Sequence, residues 1–156
     1  MLEIYVDADA CPVKQEVLKV AKRHSLGVTF VSNSPMRIPG AEEAKQVVVE
    51  SRQLDAVDDW IAEHASVNDI VITADIPLAY RIVKKGARGL SSSGEIFTEN
   101  NIGHLLAMRD LMTELRNTGE VSGGGPRPFQ KEDRSKFLHG LDQVIQNIKR
   151  QNPNKI

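Results

Sequence analysis

The stretch 4-IYVDADACPVK-14 decides how this chain is read. Ile4 to Val6 has the β-branched and aromatic make-up of a buried strand, and Pro12 is well placed to open a helix. Between them stand Asp7, Asp9 and the only cysteine, Cys11. A strand that passes into a helix within a few residues is the first half of a βαβ unit. Residues at that junction lie on the carboxyl edge of the sheet, where open parallel sheets bind their ligands.

The same alternation continues outward. LEIYV at 2–6, VTFV at 28–31, QVVVE at 46–50 and DIVIT at 69–73 read as strands, with a further short one at 88–90. Helices are expected from Pro12 through Val13, Val17, Leu18, Val20 and Ala21, then from Leu54 through Trp60, Ile61 and Ala65, and from Pro77 to Gly86. Near-continuous apolar strands separated by helices predict an α/β fold, three layers deep (α/β/α), with a mostly parallel sheet covered on both faces. The last third predicts helices over 101–117 and 133–150, joined by a loop over 118–130. In the first of these helices Leu105, Leu106, Met108, Leu111 and Leu115 read as core. We expect a single domain over 1–150, with the helical segment 101–150 packed on it, and a frayed tail over 151–156.

With 156 residues, 40% hydrophobic and 26% charged, the chain is long enough for an ample core. One cysteine makes no internal disulfide, and Cys11 reads as a small buried hydrophobe, since Asp7 and Asp9 oppose a thiolate. No apolar run reaches the roughly 18 residues of a membrane span, and no basic and apolar leader precedes the first strand. The expectation is a cytoplasmic protein with no membrane partner. His24, His64, His104 and His139 show no metal-ligand spacing and are assigned no chemistry. A formal net charge of -1 leaves any nucleic-acid partner to a local basic patch.

The carboxylates carry the functional expectation. Asp7 and Asp75, the latter in 69-DIVITADIPLAY-80, end two strands at one edge. Asp55, Asp58 and Asp59 open the intervening helix and share a face. Crowded like charges repel one another unless neutralised, and oxygen-only ligands suit Mg²⁺ or Mn²⁺. The expected metal set is Asp7, Asp9, Asp55, Asp59 and Asp75. The competing reading is local: Asp in such places caps N–H groups and complements the helix dipole, and Asp55, Asp58 and Asp69 fit that description too.

VDADACPVK at 6–14, 55-DAVDDWIA-62 with 69-DIVITADIPLA-79, then GGGPRPF and 133-DRSKF-137, resemble the YaiI/YqxD family of bacterial proteins over nearly the whole chain. That family is functionally uncharacterised and is grouped with PIN-like nuclease folds, which use acidic residues at the carboxyl edge of a parallel sheet to hold Mg²⁺ or Mn²⁺ and hydrolyse RNA. The resemblance implies a PIN-like fold. It matches Asp7 to the acidic residue after the first strand, Asp75 to the strand-end acid, and Asp59, with Asp55 or Asp58, to the acidic group of the preceding helix. The chain departs from the pattern in Asp9 and the Cys11–Pro12 pair. Glu42, Glu43 and Glu50 are stand-ins for a glutamate with no clear counterpart.

The implied chemistry is metal-assisted hydrolysis of RNA or another phosphoester, with Asp7, Asp9, Asp59 and Asp75 as catalytic residues. Lys14, Ser32, Thr73, Arg81, Lys84 and Arg127 are the candidate substrate contacts. The 123-GGGPRPF-129 stretch lacks the trailing Lys and Ser/Thr of a phosphate-binding P-loop. Two rivals stand beside this reading. The D-x-D opening also resembles haloacid dehalogenase phosphatases, with Asp7 as nucleophile, Asp9 as acid/base and Ser32 or Ser34 as the hydroxyl residue. The other is a binding module that uses the acidic edge to hold a cation, with nucleic acid or protein, without turnover.

Overall fold

The computed structural model describes residues 2–51, 53, 55–119 and 128–152. Its strands are β1 (Glu3–Asp7), β2 (Gly27–Ser32), β3 (Lys45–Val48), β4 (Ile70–Ile72), β5 (Arg88–Leu90) and β6 (Ile96–Phe97), in the sheet order β3-β2-β1-β4-β5-β6. All neighbours pair in parallel except β5 and β6. The helices are α1 (Lys14–His24), α2 (Ala56–His64), α3 (Ile76–Lys85), α4 (Glu99–Asn117) and α5 (Lys131–Gln151). The expected three-layer α/β/α fold with a mostly parallel sheet is what the chain adopts.

Strand alternation builds the three layers. Ile4, Val6, Val28, Phe30, Ile70 and Ile72 face one side and pack with Val17, Val20 and Ala21 of α1 and with Phe137, Leu141, Val144, Ile145 and Ile148 of α5. Tyr5, Val31 and Val71 point the other way, onto Val57 and Ile61 of α2 and Leu78 and Ile82 of α3. β2 beyond Gly27 and β4 are thereby buried on both faces, which is why their runs are nearly all apolar, whereas the edge strand β3 keeps Lys45 and Gln46 exposed.

α1 and α5 lie side by side in the same sense. His24 Nε2 and Asp142 Oδ1 are 2.8 Å apart, and Arg134 donates to Glu16, so two contacts join residues separated by 118 positions. Lys149 Nζ donates to His24 Nδ1 at 2.9 Å. His24, half-buried as a residue with its side chain 7% exposed, therefore ties the two helices together.

Four expectations are corrected. α1 begins at Lys14, because a 3-10 turn over Ala8–Ala10 and a further turn at Pro12 intervene after β1. β6 was not expected; two residues give no period to read. Gln151 still belongs to α5, and 153–156 lie outside the described residues. In α4 only Ile102 is fully buried; Met108 and Leu111 are 43% and 47% exposed, so most of its apolar stripe is not core. The helix meets α3 through its first turns, at Ile102 and Leu105, and runs on past it.

Candidate functional site

β1 is the centre from which the sheet grows in two directions, to β2 and β3 on one side and to β4 and β5 on the other. The crevice beyond the β1 and β4 carboxyl ends is therefore the topological switch point where ligands of such sheets bind. Asp7 ends β1 and, like Tyr5, points to the α2/α3 side. Thr73, just past β4, donates from Oγ1 to Asp7 Oδ2 at 2.9 Å, and the same oxygen accepts the Asp75 N–H at 3.0 Å. Asp75 caps α3, its Oδ1 accepting the Leu78 N–H at 2.9 Å with Pro77 in the first turn.

Asp58, in the first turn of α2, completes the group. Its carboxyl is pushed up to about 7, first by burial, then by the charges of Asp75 and Asp7, and further by a hydrogen bond with Asp75 and the charge of Asp55. Burial also raises Asp7 most, against the lowering effect of the Thr73 hydrogen bond; the charges of Asp75 and Asp9 add to the rise. The charge of Asp75 thus acts on both Asp7 and Asp58, while Asp9 acts on Asp7 and Asp55 on Asp58.

The expected convergence of Asp59 on this edge does not occur. Asp59 Oδ1 accepts from Arg81 Nη1 at 2.7 Å, a pair whose side chains are 49% and 45% exposed. The phase of α2 decides the matter. Val57, Ile61 and Ala65 are buried, and at about 100° per residue Asp58 sits roughly 60° from the middle of that stripe, while Asp59 is nearly opposite. That signal was present in the sequence.

The other named residues scatter. Asp9 accepts the Asn33 N–H, at 3.0 Å to Oδ2, joining the end of β1 to the end of β2. Asp55 is the residue before α2 and makes no side-chain cap. Lys14 Nζ donates to the Cys11 carbonyl at 2.8 Å. Ser32 is buried and donates to the Ser34 carbonyl at 2.8 Å. Arg81 and Lys84 are spent on Asp59 and Glu99. Arg127 lies outside the described residues. Cys11 is buried and its thiol is raised chiefly by that burial, as befits a small hydrophobe. Asp69 has the local role considered for it, accepting the Glu3 N–H at 3.0 Å and the Ser66 N–H at 2.8 Å at the opposite edge of the sheet.

Against known proteins, a family model described as "Uncharacterized BCR, YaiI/YqxD family" matches residues 5–147. The chain belongs to the YaiI/YqxD family. Bacterial relatives of the same kind match nearly end to end. A UPF0178 protein of Parvibaculum lavamentivorans is 59% identical over 98% of this chain and 99% of its own. One from Rhodospirillum rubrum is 51% identical over 96% and 99%, and one from Rhodopseudomonas palustris is 55% identical over 96% and 94%. No solved structure matches the chain. Among the described residues, no helix is long and apolar enough to cross a membrane.

The donor chemistry of this YaiI/YqxD edge fits a hard cation. Its donors are carboxylates and one hydroxyl, the hard oxygen type such ions take, and below about pH 7 a cation there would compete with the proton on Asp58. The proton-bound arrangement is not itself a finished metal site: among the described residues no three His, Cys, Asp or Glu side chains are gathered as ligands.

Proposed function

We propose that this chain is a divalent-cation-dependent phosphodiester hydrolase, nuclease-like in its chemistry and acting in the cytoplasm, with its centre at Asp7, Asp58 and Asp75. The observation that carries the reading is the meeting of Asp7 and Asp75 on the Thr73 hydroxyl at the switch point of the sheet, with the Asp58 carboxyl raised to about 7 by burial and by their charges. These three carboxylates would hold Mg²⁺ or Mn²⁺. When bound, the cation supplies charge neutralisation and a Lewis acid for a phosphoryl oxygen.

The chain's own residues do the rest. Thr73 sets the orientation of Asp7 through its hydroxyl and is itself fixed by the Asp75 N–H. Asp9, held by Asn33, stands beside Asp7 on the β1 side, and Lys14, held at the Cys11 carbonyl, follows at the start of α1. Above pH 7 Asp58 is ionised and open to a cation; below it a proton competes for the same carboxylate.

Calorimetric titration with Mn²⁺ at pH 6 and pH 8 tests the reading. We expect about one proton released per Mn²⁺ at pH 6 and much less at pH 8, binding lost in Asp58→Asn and Asp75→Asn, and cleavage of a labelled RNA by wild type only. Folded wild type that binds no Mn²⁺ and cleaves nothing overturns it. Turnover of phosphomonoesters alone replaces it with the phosphatase reading.

A further inference from the structure

The charge of this near-neutral chain is segregated by layer. α1 and α5 together hold nine Lys and Arg against four Asp and Glu. α2, α3 and α4 hold five against six. On the first pair, two of the four acids, Glu16 and Asp133, are buried and Asp142 is half-buried against His24, leaving Glu132 as their one exposed carboxylate. Lys19, Lys22, Arg23, Lys131, Lys136 and Arg150 are all exposed and none is in an ion pair among the described residues.

The parallel pairing of α1 with α5 turns these separate charges into one surface. Glu16–Arg134 and His24–Asp142 lock the two helices side by side. Their apolar stripes face the sheet, so their other faces point outward, bordered beside Lys19 and Lys22 by Glu42 and Glu43. Between the cations stand neutral donors, Gln15, Ser135, Gln143 and Gln146, all exposed.

We propose that the α1/α5 wall is a docking surface for the phosphate backbone of a nucleic acid. Charge complementarity selects a polyanion, and well-separated cations with amide and hydroxyl donors between them are what backbone contacts use. The wall is a poor match for an anionic membrane. The exposed large hydrophobic side chains among the described residues are Val67, Met108 and Leu111, none of them on α1 or α5, so nothing there inserts between lipids. The wall lies on the opposite side of the sheet from Asp58, and the inference stands apart from the hydrolase reading.

The test is fluorescence anisotropy of a labelled single-stranded 20-mer RNA and its duplex DNA counterpart, in EDTA, with the full chain over 50–300 mM KCl. Binding by wild type is expected to fall steeply with salt, with a log–log slope of about -3 to -5 for four to six phosphates neutralised. Lys19→Glu with Arg23→Glu, Lys136→Glu and Arg150→Glu together should weaken it at least thirty-fold at 100 mM. Lys85→Glu with Arg109→Glu and Arg116→Glu, on the other layer, should change it less than three-fold. Circular dichroism checks that both variants are folded. Asp58→Asn should bind as wild type does, which separates docking from hydrolysis. Absence of binding, equal loss in both charge variants, or preferential capture of phosphatidylserine vesicles over nucleic acid overturns the proposal.

Discussion

Thr73 Oγ1 lies 2.9 Å from Asp7 Oδ2 and bridges the carboxyl ends of β1 and β4. The same oxygen takes the Asp75 N–H, so one hydroxyl ties together a catalytic candidate and the entry to α3. Thr73→Val removes donor and acceptor together while keeping the shape. We expect a loss of about 1–2 kcal/mol in urea denaturation. The Asp7 carboxyl should also titrate higher by NMR, because the hydrogen bond that lowers it is gone while burial and Asp75 remain.

Asp58 makes stability depend on pH in a definite sense. Its folded-state value of about 7 lies above its ordinary 3.8, so the folded chain holds the proton more tightly than the unfolded one. That contribution is complete below about pH 4 and is lost as pH rises through 7. Asp7, also raised, acts in the same direction. Asp58→Asn should therefore flatten the profile, leaving the variant more stable than wild type at pH 8 by about 1 kcal/mol after allowance for solvent screening of a half-exposed group. Urea midpoints at pH 5, 6.5 and 8 measure this; a wild type equally stable at all three contradicts it.

At Asp75, two substitutions separate scaffold from site. Asp75→Ala loses the α3 cap and should cost about 1 kcal/mol, whereas Asn caps equally well and should cost little. Both remove the charge that, after burial, most raises Asp58, so the Asp58 carboxyl should titrate lower in each. Thermal denaturation gives the first comparison and carboxyl-detected NMR the second.

α4 offers a contrast between sequence pattern and burial. Ile102 is 1% exposed and its truncation to Ala should cost about 2–4 kcal/mol. Leu111→Lys, at an exposed position of the same apolar stripe, should stay within about 0.5 kcal/mol of wild type. Equal penalties in chemical denaturation would mean that something covers the outer half of the helix.

Most of the fold was legible because burial on both faces leaves strands as unbroken apolar runs, and because Pro77 and Gly86 punctuate α3 at both ends. The site was legible only in part. Asp7 and Asp75 stand at strand ends, and any parallel sheet brings such positions to one edge. Choosing among Asp55, Asp58 and Asp59 needed the rotational phase of α2, and proximity in sequence obscured what Val57, Ile61 and Ala65 already implied. Arg81 looked like a phosphate contact until α3 was placed beside α2, where Asp59 takes its charge.

By itself the sequence determined the layers, the carboxyl edge and the presence of acids there, since local periodicity and chain direction dictate these. Tertiary structure alone decided that Thr73 reaches Asp7 and that α1 and α5 lie parallel with their cations outward. Those relations link residues more than sixty positions apart along the chain. No local pattern encodes them, because each depends on how the crossings between β1, β4 and the helices bring distant surfaces into register.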